Sequence, residues 1–205
     1  MTVKKETGIH KFFDCIAFGV SAIFSPYITA GAFILLITYT YAENLKQFLP
    51  WLGIAVFCTV IVPGGYVLWL IEKEGIKDIH LSDHEERKIP FMITAISATV
   101  GAIALSAVGA SKPVVVMGVT YAANAVTVAI LTLVWKVSIH NALLSSAVTV
   151  IVILFGVQFA WLYLLLIPLA WSRIYRHRHT LTQVVGGSLI AFVITSLVFW
   201  VFGYI

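Results

Sequence analysis

The chain has 205 residues, of which 60% are hydrophobic and only 11% are charged, and its formal net charge is +4. A soluble domain carries about 25% charged residues, so this composition excludes a water-soluble globular protein and predicts an integral membrane protein. The positive charges lie in a few junctions, which indicates contact with lipid headgroups and excludes a nucleic-acid-binding surface. The length predicts a single membrane-embedded domain over residues 1–205.

The N-terminal segment, residues 1–24, is polar at first and then mixes apolar residues with Asp14, so we expect it to lie at the membrane interface. The apolar runs that follow predict spanning helices at residues 26–42, 48–71, 89–110, 114–135, 142–156, 158–171 and 181–203. Lipid permits only helices or closed barrels, and these runs are too long for barrel strands. The sequence therefore predicts an all-α, polytopic transmembrane helical bundle of six or seven spanning helices, six if one of the short runs is re-entrant.

Three polar junctions interrupt the apolar runs, at residues 72–90, 136–141 and 171–183. Two predicted spans separate the first junction from the second, and two more separate the second from the third, so all three lie on one membrane face. Basic loops share a face through the positive-inside rule, and that explanation of the cations stays open. The rule does not account for His140 and His179, which lie close to serine and arginine residues in these junctions.

Histidines and cations together are suited to cleaving a phosphate ester without a metal. Arginine and lysine neutralise the phosphate oxygens, and a neutral imidazole attacks phosphorus to form a phosphohistidine. A second, protonated histidine gives the leaving alkoxide its proton. The three junctions supply Arg87 with Lys88, Lys136 with Ser138 and His140, and Arg173 with His179. No metal-type spacing and no nucleotide-binding fingerprint occurs, so neither a metal nor a cofactor is expected.

Two of these junctions resemble signatures of one protein family. Ser172-Arg173, five residues, His179 and then Gln183 resemble the third signature of the type 2 phosphatidic acid phosphatase family, which ends in His-x-x-x-Asp. Ser138-Ile139-His140 resembles its second signature, Pro-Ser-Gly-His. The resemblance covers only a few dozen residues, but these residues stand in the family's order and at helix junctions, as the family has them.

The remaining signature of the family is a lysine followed after six residues by Arg-Pro. The first junction resembles it in having Arg87 shortly before Pro90. The family lysine would fall seven residues before Arg87, where this chain has His80. The place of the family lysine could be taken by Lys77, Lys88 or Lys136. Of these, Lys136 is favoured because it is close to Ser138.

The resemblance implies a role for each matching residue. His179 would be the nucleophile, His140 the general acid, and Gln183 the group that orients the His179 ring. The phosphate oxygens would be bound by Arg87, Lys136, Ser138 and Arg173. The implied activity is hydrolysis of a lipid phosphomonoester, such as phosphatidate or phosphatidylglycerol phosphate, or of a polyprenyl diphosphate at the surface of the cell membrane.

Two departures from the family pattern keep a second interpretation open. Ile139 replaces the family glycine, and Gln183 replaces the family aspartate, so the ring would be oriented without a stabilising charge. The alternative is a non-catalytic protein of the same fold that binds lipid phosphate or acts as a scaffold. A transporter is disfavoured because few polar residues besides Asn124 lie within the spans, and Asn124 is expected to have a packing role. The membrane side of the site stays open, since the cations predict the cytoplasm and the resemblance implies the outside.

Overall fold

The structure is a computed structural model that describes residues 8–74 and 88–205. Every regular element in these two ranges is helical, which confirms the all-α prediction. The first range contains α1 (Gly8–Ile23), α2 (Pro26–Tyr41), α3 (Leu45–Val56) and α4 (Val62–Glu74). The second contains α5 (Lys88–Ala107), α6 (Lys112–Leu131), α7 (Ile139–Phe155), α8 (Leu166–Tyr175) and α9 (Leu181–Val201). A π-helical turn, Phe57–Ile61, joins α3 to α4, and a 3-10 segment, Val157–Leu165, leads into α8.

Single helices and joined helical segments provide the candidate membrane spans of the described chain. Five stretches are both long and apolar enough to do so: Leu45–Lys73, Lys88–Ala107, Lys112–Leu131, Val157–Tyr175 and Leu181–Val201. α1 and α2 are bent by 41° at a short break and add a sixth span if the pair crosses as one. α7 is apolar as well but has only 17 residues. The chain is therefore a multi-pass integral membrane protein with a helical bundle fold.

α7 lies at the centre of the bundle, which explains how so short a helix is accommodated. Its residues from Leu144 to Val150 are all buried, so neighbouring helices cover it on every side. The packing partners are α2, α6, α8, α9 and the 3-10 segment. A helix that is shielded from lipid by protein does not have to match the thickness of the hydrocarbon layer. The N-terminus of α7, which carries His140, is consequently enclosed by other helices.

Close helix packing relies on small residues, as is usual between membrane helices. α5 runs along α6, where a Cβ added to Gly118 would lie 3.4 Å from Cα of Ala102. α7 runs along α9, and α1 runs along α8. Val116, Val150 and Phe199 form a buried cluster between α6, α7 and α9. These contacts bring the start of α7, the end of α8 and the start of α9 to the same region of the bundle.

Candidate functional site

The turn between α8 and α9 brings Arg173 and His179 together. Arg173 lies in the last turn of α8, and its carbonyl oxygen accepts hydrogen bonds from the N–H groups of Arg178, at 3.1 Å, and His179, at 3.3 Å. The chain reverses at His177, whose φ of 52° lies in the left-handed region that few non-glycine residues adopt. Thr180 then caps α9. The backbone hydrogen bonds therefore hold the guanidinium and the imidazole on one compact turn.

The guanidinium of Arg173 is held by α1, a contact that the sequence did not predict. The side chain is 2% exposed, and its Nη1 donates to Oγ of Ser21 at 2.7 Å. The preceding hydroxyl, on Ser172, donates to the carbonyl oxygen of Ala17 at 2.6 Å. A buried cation is costly unless hydrogen bonds hold it, so the bond to Ser21 contributes to keeping the guanidinium of Arg173 in this position. The only sequence signal was Ser21, a polar residue within an apolar stretch.

Gln183 orients the ring of His179. Its Oε1 lies 3.2 Å from Nδ1 of His179 and also accepts the backbone N–H of Thr180 at 3.2 Å. Because a backbone N–H can only donate, the oxygen end of the amide must face this side. The neutral ring therefore carries its proton on Nδ1 and its lone pair on Nε2. This is the contact that the four-residue spacing predicted, and Nε2 is the atom that a nucleophilic histidine would use.

The second junction packs directly on the third. The N–H of Ser138 donates to the carbonyl oxygen of Gln183 at 3.1 Å, and the Ser138 hydroxyl donates to Oδ1 of Asn141 at 3.2 Å. The Asn141 amide nitrogen lies 3.5 Å from the carbonyl oxygen of Leu166, at the start of α8. His140, between these two residues, is buried. Backbone contacts thus fix the start of α7 against the start of α9.

Gly187 makes this contact possible and provides a test of it. A Cβ added there would lie 2.9 Å from the carbonyl oxygen of Ser138, a backbone atom that cannot move without shifting the junction. We expect Gly187→Ala to lower the free energy of unfolding by about 1–3 kcal/mol, measured by thermal unfolding in detergent. Gly31→Ala is the matched control, because nothing lies within 4 Å of a Cβ at Gly31. Equal melting temperatures for the two variants would contradict the close approach of α9 to Ser138.

His140, Arg173 and His179 line one cavity of about 140 Å³. Its other walls come from α2, the π-helical turn and α4 to α7, and they are mainly apolar, with side chains such as Val67, Phe91 and Leu143. The described lining residues include no aspartate or glutamate. His140 stands in the first turn of α7 and His179 just before α9, so two helix N-termini add partial positive charge to that of Arg173. This end of the cavity is therefore suited to an anion.

The remaining predicted site residues occupy other positions. Lys136 is half-buried between α6 and α7, and Ser138 is fully buried; neither is among the described residues that line the cavity. The Ser138 hydroxyl is bonded to Asn141, so it supports the junction and does not face the cavity. Arg87 lies outside the described residues, as do the alternative Lys77 and His80. Lys88 begins α5, and Pro90 in its first turn lines the cavity.

Aromatic side chains surround the same end of the bundle. The Trp171 ring lies 5.3 Å from that of Tyr175 and 6.4 Å from that of Phe13, centroid to centroid. The Arg176 guanidinium lies 5.1 Å from the centre of the Phe18 ring. Trp and Tyr side chains are enriched where the hydrocarbon layer meets the headgroups. The cluster is consistent with a cavity mouth at the depth of the lipid headgroups.

Within residues 8–74 and 88–205, no group of three or more His, Cys, Asp or Glu side chains is arranged to hold a metal ion. Comparisons of the chain with protein-family models, curated proteins and solved structures found no match. The function must therefore be inferred from the residues of this chain.

Proposed function

We propose that the protein is a metal-independent membrane phosphatase that hydrolyses a lipid phosphomonoester or a polyprenyl diphosphate through a phosphohistidine. The observation that supports this most is that His140, Arg173 and His179, from two separate helix junctions, line one cavity. Two histidines and an arginine at an electropositive site are the groups that phosphoryl transfer to and from nitrogen requires. The apolar remainder of the cavity suits the part of a lipid that follows its headgroup.

The reaction proceeds in two displacements. Nε2 of His179 attacks phosphorus and forms an N–P bond, while the bond from phosphorus to the lipid oxygen breaks and His140 gives that oxygen its proton. Water then attacks the phosphohistidine, His140 takes a proton from the water, and inorganic phosphate leaves. Arg173 neutralises the charge that the phosphate oxygens carry in both transition states. Arg87 and Lys136 are further candidates for this role.

The experiment measures where the phosphate of the lipid goes. Protein in lipid nanodiscs is given phosphatidate or a polyprenyl diphosphate, radiolabelled in the terminal phosphate. We expect release of inorganic phosphate that vanadate inhibits, and, after an alkaline quench, label on the protein that acid removes, as a phosphohistidine requires. If no lipid phosphate yields inorganic phosphate or labelled protein, the catalytic proposal is wrong.

A second candidate function is binding of lipid phosphate without turnover. Gln183 favours it, because an amide orients the His179 ring but does not stabilise the imidazolium by charge. This candidate predicts saturable binding of the lipids above and of vanadate, with neither phosphate release nor labelled protein. A protein that shows no binding either would exclude both functions.

A further inference from the structure

The cavity has a polar wall some distance from its histidines. Asn124 and Tyr121 of α6, Thr94 of α5 and Thr59 of the π-helical turn all line it, among side chains that are otherwise largely apolar. A polar group that faces an apolar cavity is costly unless a ligand or water satisfies it. The hydrogen bonds of these groups therefore indicate which ligand chemistry the wall suits.

The orientation of the Asn124 amide is fixed by α6 itself. Its Nδ2 lies 3.0 Å from the carbonyl oxygen of Thr120, which can only accept, so the nitrogen must be on that side. Nδ2 also lies 3.2 Å from Oγ1 of Thr195 and 3.4 Å from Oγ of Ser146. No described residue donates a hydrogen bond to Oδ1 of Asn124. That oxygen has only acceptor capacity, and its ligand partner must be a donor.

The neighbouring hydroxyl groups donate their hydrogen bonds to acceptors within the protein. The Tyr121 hydroxyl donates to the carbonyl oxygen of Thr59 at 3.2 Å. The Thr59 hydroxyl in turn donates to the carbonyl oxygen of Ala55 at 2.7 Å. The Thr94 hydroxyl donates to the carbonyl oxygen of Pro90 at 2.8 Å. Towards the cavity, these three oxygens offer lone pairs. Tyr27 also lines the cavity, and a phenolic hydroxyl can donate or accept a hydrogen bond.

The axial separation between His140 and the polar wall is comparable with the length of a lipid headgroup. Ser146, which contacts Asn124, lies six residues after His140 in α7, or about 9 Å along the helix axis. A hydroxyl four or five bonds from phosphorus reaches about as far once a hydrogen bond of about 2.8 Å is added. Such hydroxyls occur in monoacylglycerol phosphates and in phosphates of sphingoid bases. Fully acylated phosphatidate and polyprenyl phosphates have only acceptor oxygens or hydrocarbon at this distance.

We propose that the wall around Asn124 is a subsite for a lipid hydroxyl, so that the protein selects single-chain lipid phosphates that carry a free hydroxyl four or five bonds from phosphorus. The hydroxyl donates to Oδ1 of Asn124 and accepts from Tyr27. This inference rests on the proposed lipid-phosphate site for the position of the phosphate, and it adds the selection among lipids.

The test compares two ligands that differ in one oxygen. Non-hydrolysable phosphonate analogues of a monoacylglycerol phosphate, one with the free hydroxyl and one with hydrogen in its place, are titrated onto the wild-type protein in nanodiscs. We expect the hydroxyl analogue to bind about tenfold more tightly, the upper range for one hydrogen bond in an apolar site. Equal affinities would overturn the subsite and leave the phosphate site standing. Failure of both analogues to bind would overturn the subsite and the proposed function together.

Two variants test whether Asn124 causes the preference for the hydroxyl analogue. Asn124→Leu has similar volume and no acceptor, so we expect the preference for the hydroxyl analogue to fall below that of the wild-type protein, with only the bond from Tyr27 remaining. Thr127→Val is the matched control on the same helix, because its hydroxyl bonds to the carbonyl oxygen of Ala123 at 2.8 Å and it does not line the cavity; it should keep the wild-type preference. An undiminished preference in Asn124→Leu contradicts the subsite. If Asn124→Leu fails to fold, the wild-type comparison decides the question alone.

Discussion

Replacing His179 by alanine is expected to lower phosphate release from lipid by on the order of 10³-fold or more, the loss typical when a covalent nucleophile is removed. The side chain is 7% exposed, lines the cavity and is oriented through Nδ1 by Gln183, so the substitution removes the one ring whose Nε2 the proposed mechanism uses. Initial rates of phosphate release at saturating lipid measure the effect. The variant should also lose the acid-labile label on the protein.

His177→Asn is the control for this prediction. His177 lies in the same turn two residues away, but it is exposed and does not line the cavity. Its φ of 52° is one that asparagine tolerates, whereas alanine there would introduce strain. We expect wild-type release and an unchanged elution volume on gel filtration. Equal losses in the two variants would mean that the turn matters and the His179 ring does not.

Much of the fold follows from hydropathy because lipid leaves the backbone few alternatives. The two short apolar runs on either side of Gly156 were predicted as separate helices, and the structure divides them there, with a φ of 107° at the glycine. Hydropathy does not indicate that the first of them, α7, is enclosed by protein. That depends on which helices neighbour it, and the order of apolar runs does not contain this information.

The candidate site was predictable where its parts are local in sequence. His179 and Gln183 are four residues apart, and this spacing predicted their contact. His179 lies before the helix, however, and the contact forms because Gln183, in the first turn of α9, folds back over the Thr180 cap. The count of spans predicted that the second and third junctions lie on one membrane face, and the hydrogen bond from Ser138 to Gln183 shows that they are in direct contact. The phosphate-binding role predicted for Ser138 is not supported, since its hydroxyl donates to Asn141, three residues further on in the first turn of α7.

The contribution of α1 could not be predicted. Ser21 and Arg173 are separated by 152 residues, and only the packing of α1 on α8 brings them within hydrogen-bond distance. The sequence predicts an interfacial segment over residues 1–24, because Asp14 interrupts the run and its apolar part is too short to span. A residue that stabilises a buried charge through tertiary packing has no periodicity or spacing that distinguishes it from an ordinary serine.

Gln183 is where the catalytic and binding proposals differ most, and substitutions there should change the rate in both directions. Gln183→Glu keeps the side-chain length, so a carboxylate oxygen can make the contacts to the His179 ring and to the Thr180 N–H. A negative charge also suits the N-terminus of α9. The carboxylate stabilises the imidazolium character that develops as the ring attacks phosphorus, and we expect release to rise by about tenfold. In Gln183→Leu, no side chain at this position fixes the tautomer of the His179 ring, and phosphate release should fall by about 10²-fold or more.

Gln183 also caps α9, and this second role has to be separated from the first. Thr180→Ala removes the other half of the capping box while leaving Gln183 beside the ring, because the Thr180 backbone N–H still donates to Oε1. Both Thr180→Ala and Gln183→Leu should lose about 1 kcal/mol of stability, measured by thermal unfolding. Only Gln183→Leu should lose activity. If the two variants lose activity equally, Gln183 acts through the start of the helix. If Gln183→Glu binds lipid phosphate but releases no phosphate, the missing charge is not what limits turnover, and binding without catalysis becomes the better account of the site.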